Sequence, residues 1–430
     1  MSINLLAIGD IHLGRRSTRV PDGVSGRVSP KDLTPAAAWH CAVEKALSLK
    51  VDAVLLAGDV VDQNDDFYEA YSDLAEGVGR QTKSGVPVLG VAGNHDVRVL
   101  PRLADAIPKF QLLGRDGVWE EVVIEGRDGS SMRILGWSFP GERVHKSPLV
   151  DGLPARKDDL PRLGLLHCDR DQTGSRYAPV RSAELEAAAV DAWLLGHIHR
   201  PDELAGSRPI GYLGSLTGLD PTETGTHGPW HVEVSPAAGI SVKQLPLAPL
   251  RWEALEVSVD GLTDAEEVDG RILKARSHLH DELMQIEAEP LVVGCRVRLI
   301  GRTPLRSLLE QHFAAQDLDA FVLPQDDICY FIDRIRIETL PDRDLEVLAK
   351  GSDPVGLLAR KILLLGKPED DQERRALIDK GVKQLTAVVE DISYRALSEK
   401  TVDETQVAAL LEQAALRALD ALLAQKASAA

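Results

Sequence analysis

The sequence has few cysteines and no cysteine pattern. Cys41, Cys168, Cys295 and Cys329 lie far apart with no CxxC pair, which excludes a disulfide framework and a zinc ribbon. They read as free buried thiols, with Cys168 set apart because it follows a candidate metal ligand. No uninterrupted apolar run approaches the roughly 20 residues needed to span a bilayer. No basic stretch with an apolar core opens the chain, so a cytoplasmic protein without membrane association is expected. Positive charge is also scarce: 49 Lys and Arg against 67 Asp and Glu give a net charge of −18. That argues against a protein that coats nucleic acid through bulk electrostatics. It leaves a nuclease open, because bound divalent cations add positive charge that formal counting misses.

What is present is a recurring pattern. Five apolar runs of strand length each stop abruptly at groups able to do chemistry. Ile3–Ile8 runs into Gly9-Asp10-Ile11-His12, and 52–57 into Gly58-Asp59-Val60-Val61-Asp62. The run 86–92 ends in Gly93-Asn94-His95-Asp96, 163–166 in His167, and 190–195 in Gly196-His197-Ile198-His199. Helical stretches at about 36–49, opened by Thr34-Pro35, and at 66–83 separate the first three. Ala38, Cys41, Ala42, Ala46 and Leu49 are expected on one face of the first. This strand–helix–strand rhythm predicts parallel strands with crossover helices, whose ligands gather beyond the carboxyl ends of the strands. Residues 15–33 read as a polar loop, either a solvated connection or a rim on which Arg15, Arg16, Arg19, Arg27 and Lys31 meet phosphates.

From Trp119 the pattern becomes a β-hairpin around Gly126-Arg127-Asp128-Gly129, then a Pro- and Gly-rich surface loop over 140–161. Short strands near 210–213, 231–234 and 240–245 complete a second sheet. After a linker at 246–250, strands at 252–259, 291–300 and 329–337 alternate with helices at 265–285 and 305–313. Beyond Asp344 the chain reads as helical, with a break at Gly366-Lys367-Pro368. Its last helix, 405–425, carries Val407, Leu410, Leu411, Ala414, Leu422 and Leu423 as core or as a seam for a partner helix. The expected domains are 1–248, 249–340 and 341–430, in line with a chain of 430 residues.

Asp10 with His12, and His197 with His199, are i,i+2 pairs that face one side in extended backbone. With Asp59, Asn94 and His167 they give seven oxygen and nitrogen donors and need no thiolate. Such a set suits two octahedral-leaning divalent ions, manganese first, better than one structural zinc. Asp59 is the carboxylate most naturally placed to bridge them. His40, His145, His278, His280 and His312 lack this context and read as ordinary histidines. For His227 and His231, downstream of the last motif, a substrate contact stays open.

The ordered set GDIHLG, GDVVD, GNHD, the lone His in LLHCD, and GHIH resembles the calcineurin-like metallophosphoesterases. Within them, the GWSFP stretch at 136–140, Tyr177-Ala178-Pro179 and the added C-terminal region are most similar to the SbcD/YhaO-type DNA repair exonucleases. The resemblance implies a four-layer α/β/β/α sandwich, followed by a small α+β capping domain and a helical C-terminal region. It implies one ion on Asp10, His12, Asp59 and His199, and the other on Asp59, Asn94, His167 and His197. His95 would face the phosphate as acid or charge stabiliser, with the Asp62 carboxylate orienting it as in phosphatase relatives. Asp62 follows the bacterial pattern, since archaeal and eukaryotic nuclease relatives have histidine there. Asp96 would fix the turn and share in orienting His95. The implied activity is a metal-dependent DNA exo- or endonuclease acting in repair, with DNA and an SMC-like ATPase (SbcC/YhaN-type) as partners and a possible homodimer. The alternative is a phosphatase or phosphodiesterase for nucleotides or phosphoproteins.

Overall fold

The computed structural model describes residues 2–16, 20–235, 239–315, 321–340, 342–389 and 403–428; Arg19, expected on the arginine rim, lies outside them. The strands are β1 (Ile3–Ile8), β2 (Ala53–Leu56), β3 (Val88–Gly90), β4 (Phe110–Leu112), β5 (Glu120–Glu125), β6 (Ser131–Trp137), β7 (Arg162–His167), β8 (Ala192–Gly196), β9 (Ile210–Tyr212), β10 (Trp230–Ser235), β11 (Gly239–Gln244), β12 (Leu250–Ser258), β13 (Val292–Ile300), β14 (Leu323–Gln325) and β15 (Ile328–Ile337). The helices are α1 (Asp22–Ser25), α2 (Pro35–Leu49), α3 (Phe67–Lys83), α4 (Val99–Ala106), α5 (Ser182–Ala187), α6 (Glu267–Gln285), α7 (Arg306–Ala315), α8 (Leu345–Leu348), α9 (Pro354–Leu365), α10 (Gln372–Val389) and α11 (Glu404–Ser428).

Two sheets stack face to face. One has the order β11-β10-β1-β2-β3-β4, the other β5-β6-β7-β8-β9. Strands β1 to β4 are mutually parallel, as are β6 to β9. Alternation decides which side chain goes where. Leu5 and Ala7 point between the sheets to meet Leu163, Leu165 and Leu194. Leu6 and Ile8 point outward to Trp39, Val43 and Leu74 of the helices α2 and α3. On the far side, Trp137, Leu166 and Trp193 are covered by the short α5 and by loop residues such as Val180 and Leu149. The architecture is therefore α/β/β/α, with a thin fourth layer made mostly of irregular chain.

Local chemistry explains the elements. The Thr34 hydroxyl accepts from the Ala37 N–H and Pro35 takes the first helical position, which starts α2; Lys50 ends it in the left-handed region. The buried stripe of α2 is Ala38, Trp39, Ala42, Val43 and Ala46. Cys41 and Leu49, expected on that stripe, are exposed, because an i, i+4 row through Trp39 and Val43 carries the larger apolar surface to the sheet. Gly77 of α3 makes room for Trp39: a Cβ there would lie 2.4 Å from its indole nitrogen.

The stretch 15–33 differs from a purely polar loop. It folds α1 and a 3₁₀ turn at Pro30–Leu33, and buries Val20, Val24 and Leu33 against Leu250, Trp252, Val292 and Phe331. The four-residue spacing of Val20, Val24 and Val28 was the available signal, masked by the surrounding Arg, Ser, Pro and Gly. The region 250–337 forms a four-stranded sheet in the order β12-β13-β15-β14. Compactness divides the chain into residues 1–255, 275–297 and 317–334 on one hand, and 256–274, 298–316 and 335–430 on the other. In the second unit, Val407 and Leu411 of α11 pack against α10, and Leu422 and Leu423 against α9, while Leu410 points outward. Among the described residues, no helix is long and apolar enough to cross a membrane.

Candidate metal centre

The five motif ends converge, although they belong to two different sheets. Asp10, His12, Asp59 and Asn94 follow β1, β2 and β3 of one sheet; His167, His197 and His199 come from β7 and β8 of the other. The glycines before the ligands allow the close approach. A Cβ on Gly196 would sit 2.1 Å from the Ala57 carbonyl oxygen, and one on Gly58, at φ +91°, would be 2.6 Å from His167 Nδ1. Four candidate ligands hold positive φ themselves: Asp10 at 38°, His12 at 57°, Asp59 at 45° and His197 at 103°. Non-glycine residues rarely adopt this backbone, and it turns their side chains inward at some cost in strain.

The donor atoms fall into three groups, one of which, His12, Asp62 and His95, shares His12 with the first of the other two. Asp10, His12 and His199 form the first of those two, and Asp59, His167 and His197 the second, each with ligand atoms within 4.8 Å of one another. His12 Nε2 and His199 Nε2 are 3.2 Å apart. His167 Nε2 lies 3.1 Å from Asn94 Oδ1 and 3.3 Å from Asp59 Oδ2. Asp59 Oδ1 also accepts the His95 main-chain N–H at 2.9 Å, so its two oxygens link the second and third motifs.

Each of five imidazoles is held by one nitrogen on a group that only accepts. His12 Nδ1 donates to Asp62 Oδ1 at 3.0 Å, His199 Nδ1 to Glu223 Oε1 at 2.8 Å, and His197 Nε2 pairs with Asp169 Oδ1 at 3.2 Å. His167 Nδ1 donates to the Ala57 carbonyl at 3.1 Å and His95 Nδ1 to the Asp62 carbonyl at 2.8 Å. A carboxylate or carbonyl oxygen has no proton to give, so each of these nitrogens carries a hydrogen, and the opposite nitrogen is the one aimed into the cluster. For His12 and His199 the two Nε2 atoms face each other at 3.2 Å, a contact that needs a proton or an ion between them. It is the arrangement expected of ligating histidines.

Charge makes the same demand. Asp10, Asp59 and Asp96 are all buried within this cluster. Burial holds the Asp10 carboxyl above its usual range. At His167 burial opposes a positive charge, yet the adjoining Asp59 carboxylate outweighs it and raises the pKa to about 9. At His197 burial, then the charge of His167, lowers it to about 4. Without an ion the cluster neutralises its carboxylates by protonating an imidazole; a divalent cation would replace that proton. The residues fit two divalent ions held by these oxygen and nitrogen donors.

One role differs in detail from expectation. Asp62 orients His95 through its main-chain carbonyl, while its carboxylate turns to His12. The Asp96 oxygens accept from the main-chain N–H groups of Gly93 (2.8 Å), Val60 (2.7 Å) and Val61 (3.4 Å). Asp96 thus ties the third motif to the second, and burial followed by the nearby Asp59 charge pushes it up to about 7. His95 itself is exposed at the mouth, its ring 5.2 Å from that of His12.

Sequence reasoning missed Asp169 and Glu223. Asp169 stands two residues after a ligand, a weak signal; Glu223 sits in a turn 24 residues from His199, with none. His227 is buried beneath that turn, bonded to Ser215 and to the Glu223 carbonyl, so it does not contact substrate. His231 lies within β10 opposite Leu6. Cys168 packs among Leu135, Leu166 and Tyr212 with its thiol pushed up by burial, away from the donor set. Arg15 flanks the site, 3.8 Å from Asp62 Oδ1.

Comparison with known proteins adds three findings. Residues 3–201 match the calcineurin-like phosphoesterase family, and residues 252–339 match the middle domain of metallophosphoesterase YhaO. The chain is 26% identical to the uncharacterized metallophosphoesterase YhaO of Bacillus subtilis over 60% of its length and 63% of that protein. It is 28% identical to the DNA double-strand break repair protein Mre11 of Aeropyrum pernix over 56% of its length. The alignments thus span about three fifths of these relatives, 63% and 60%. Among solved structures, a dimetal phosphatase from Danio rerio is 13% identical, overlapping 56% of this chain and 98% of that one with a TM-score of 0.34.

Proposed function

Because residues 3–201 match the calcineurin-like phosphoesterase family and residues 252–339 the middle domain of metallophosphoesterase YhaO, we propose that this chain is a metal-dependent phosphoesterase and, more narrowly, a DNA nuclease subunit that cleaves phosphodiester bonds at a two-ion centre. One observation carries the reading: five imidazoles, each anchored on its outer nitrogen, surround the buried carboxylates Asp10 and Asp59. In this reading Asp10, His12, Asp59 and His199 hold one ion, and Asp59, Asn94, His167 and His197 the other, with manganese the first choice. Bound ions would polarise the phosphoryl oxygens and make water acidic enough to attack near neutral pH. His95, fixed by the Asp62 carbonyl with Nε2 free, holds or delivers a proton at the leaving oxygen. Asp96 keeps the loop that carries it rigid.

DNA as substrate draws support from the similarity to proteins named for double-strand break repair. Action inside the cell with an SMC-like ATPase, a capping role for residues 249–340, partner docking by 341–430 and a homodimer complete the proposal. Acidity favours a second reading. Residues 251–430 carry 23 basic against 34 acidic side chains, a poor clamp for DNA, so a phosphodiesterase or phosphatase of smaller substrates is the alternative. A manganese-dependent assay of linear duplex, single strands and bis-p-nitrophenyl phosphate decides between them. Turnover of the small ester alone would overturn the nuclease reading.

A further inference from the structure

Glu223 stands outside every motif, yet it reaches into the metal centre. Its Oε1 accepts from His199 Nδ1 at 2.8 Å. Its Oε2 accepts from the Leu219 N–H at 2.9 Å and the Ser215 hydroxyl at 3.0 Å. The loop that carries it is braced on both sides. His227, buried beneath, bonds the Glu223 carbonyl at 3.2 Å and Ser215 at 3.0 Å. Strand β12 holds the outer edge: the Gly225 N–H donates to the Trp252 carbonyl at 2.8 Å, and Arg251 Nη1 donates to the Thr226 hydroxyl at 3.2 Å. Ser215 also returns to the ligand, its N–H donating to the His199 carbonyl at 2.9 Å. Backbone and side chain of His199 are thus gripped by one network with Glu223 at its centre.

We propose that Glu223 is a positioning residue for His199 that selectively sets the affinity of the ion held by Asp10, His12 and His199. It holds Nδ1–H and the ring plane, so that Nε2 points toward His12 Nε2 and the ion they would share. Histidine ligands depend on such outer partners for orientation and basicity, and losing one typically weakens metal binding by about 10–100-fold. The second group, Asp59, His167 and His197, is anchored through Ala57 and Asp169 and does not touch Glu223. This inference rests on the two-ion reading above.

The test is Mn2+ titration calorimetry on metal-stripped full-length protein. Wild type is expected to take up two ions, and Glu223→Ala to bind one of them about 10–100-fold more weakly while the other is unchanged. Glu223→Gln keeps an acceptor for His199 but loses the charge and an acceptor for Leu219 or Ser215, so it falls between the two. Asp220→Ala is the control: Asp220 braces the same loop through Thr222 without touching His199, and should bind as wild type. Two ions at wild-type affinity in Glu223→Ala, or in Glu223→Gln where the alanine variant does not fold, overturns the proposal. So does equal weakening in Asp220→Ala, which would make the effect one of loop stability. Wild type that takes up fewer than two ions would instead overturn the two-ion reading itself.

Discussion

His95 Nδ1 donates to the main-chain carbonyl of Asp62 at 2.8 Å, while the Asp62 side chain serves His12 at 3.0 Å. One residue therefore supports two histidines with different tasks, and substitution can separate them. Asp62→Ala retains the carbonyl and should leave His95 in place, yet it removes the partner of His12. The expected result is weaker ion binding by about 10–100-fold, with turnover largely restored at saturating Mn2+. Loss of turnover at full ion occupancy would show that the carboxylate acts on His95 after all.

His95→Ala should behave in the opposite way. In the proposed reading no ion depends on this ring, so metal content by elemental analysis should stay at the wild-type value. Turnover falls by about 10² or more, the usual scale for losing a proton-transfer group. Near-normal turnover would remove His95 from the chemistry.

Asp59→Ala should empty the site. Asp59 Oδ2 faces His167 Nε2 and Oδ1 holds the His95 N–H, so one carboxylate serves the ion groups and the loop together. Elemental analysis of the purified variant should find little metal. A full complement would show that Asp59 does not bridge.

The pH dependence of ion binding follows from His167. Its pKa in the metal-free protein is raised to about 9, above the usual value near 6.5. A raised histidine stabilises the metal-free fold fully below about pH 6.5 and loses that contribution as pH rises through about 9. An ion must displace the proton, so affinity should fall as pH drops below 9, by up to about tenfold per unit for one proton. Calorimetry in buffers of different ionisation enthalpy would detect the released proton. Affinity flat between pH 6 and 9 would contradict the assignment.

Packing offers a test away from the site. Gly77→Ala would press a methyl against Trp39, whose indole nitrogen lies 2.4 Å from the position of the new Cβ. Overpacking of this kind costs about 1–3 kcal/mol. A lower urea midpoint with unchanged metal content is expected; an unchanged midpoint would mean that Trp39 moves aside freely.

The division of labour between sequence and tertiary structure can be traced residue by residue. Strand-length apolar runs ending in Gly-Asp, Gly-Asn-His and Gly-His mark the candidate ligand positions, because alternation and chain termination are local properties. The helices α2 and α3 were legible for the same reason, from a proline start and periodic apolar residues. The strands β4 and β14 and the helices α4 and α5 were not, being short pieces whose stability comes from packing rather than from their own pattern.

Which sheet each ligand belongs to was likewise invisible. Two parallel sheets and one continuous sheet give the same local strand–helix rhythm, and only inter-sheet packing of Leu5, Ala7, Leu163 and Leu165 separates them. Outer-partner identity was hidden for a different reason. Glu223 reaches His199 through a turn bonded to β12, and Asp62 divides carbonyl from carboxylate by side-chain rotamer. By itself the sequence determined which side chains with ligand chemistry stand at strand ends, since that depends on residue type and local pattern. The tertiary structure alone decided how each imidazole is aimed, because orientation is set by hydrogen bonds between segments up to 50 residues apart in the chain for His12 and Asp62, and 110 for His167 and Ala57.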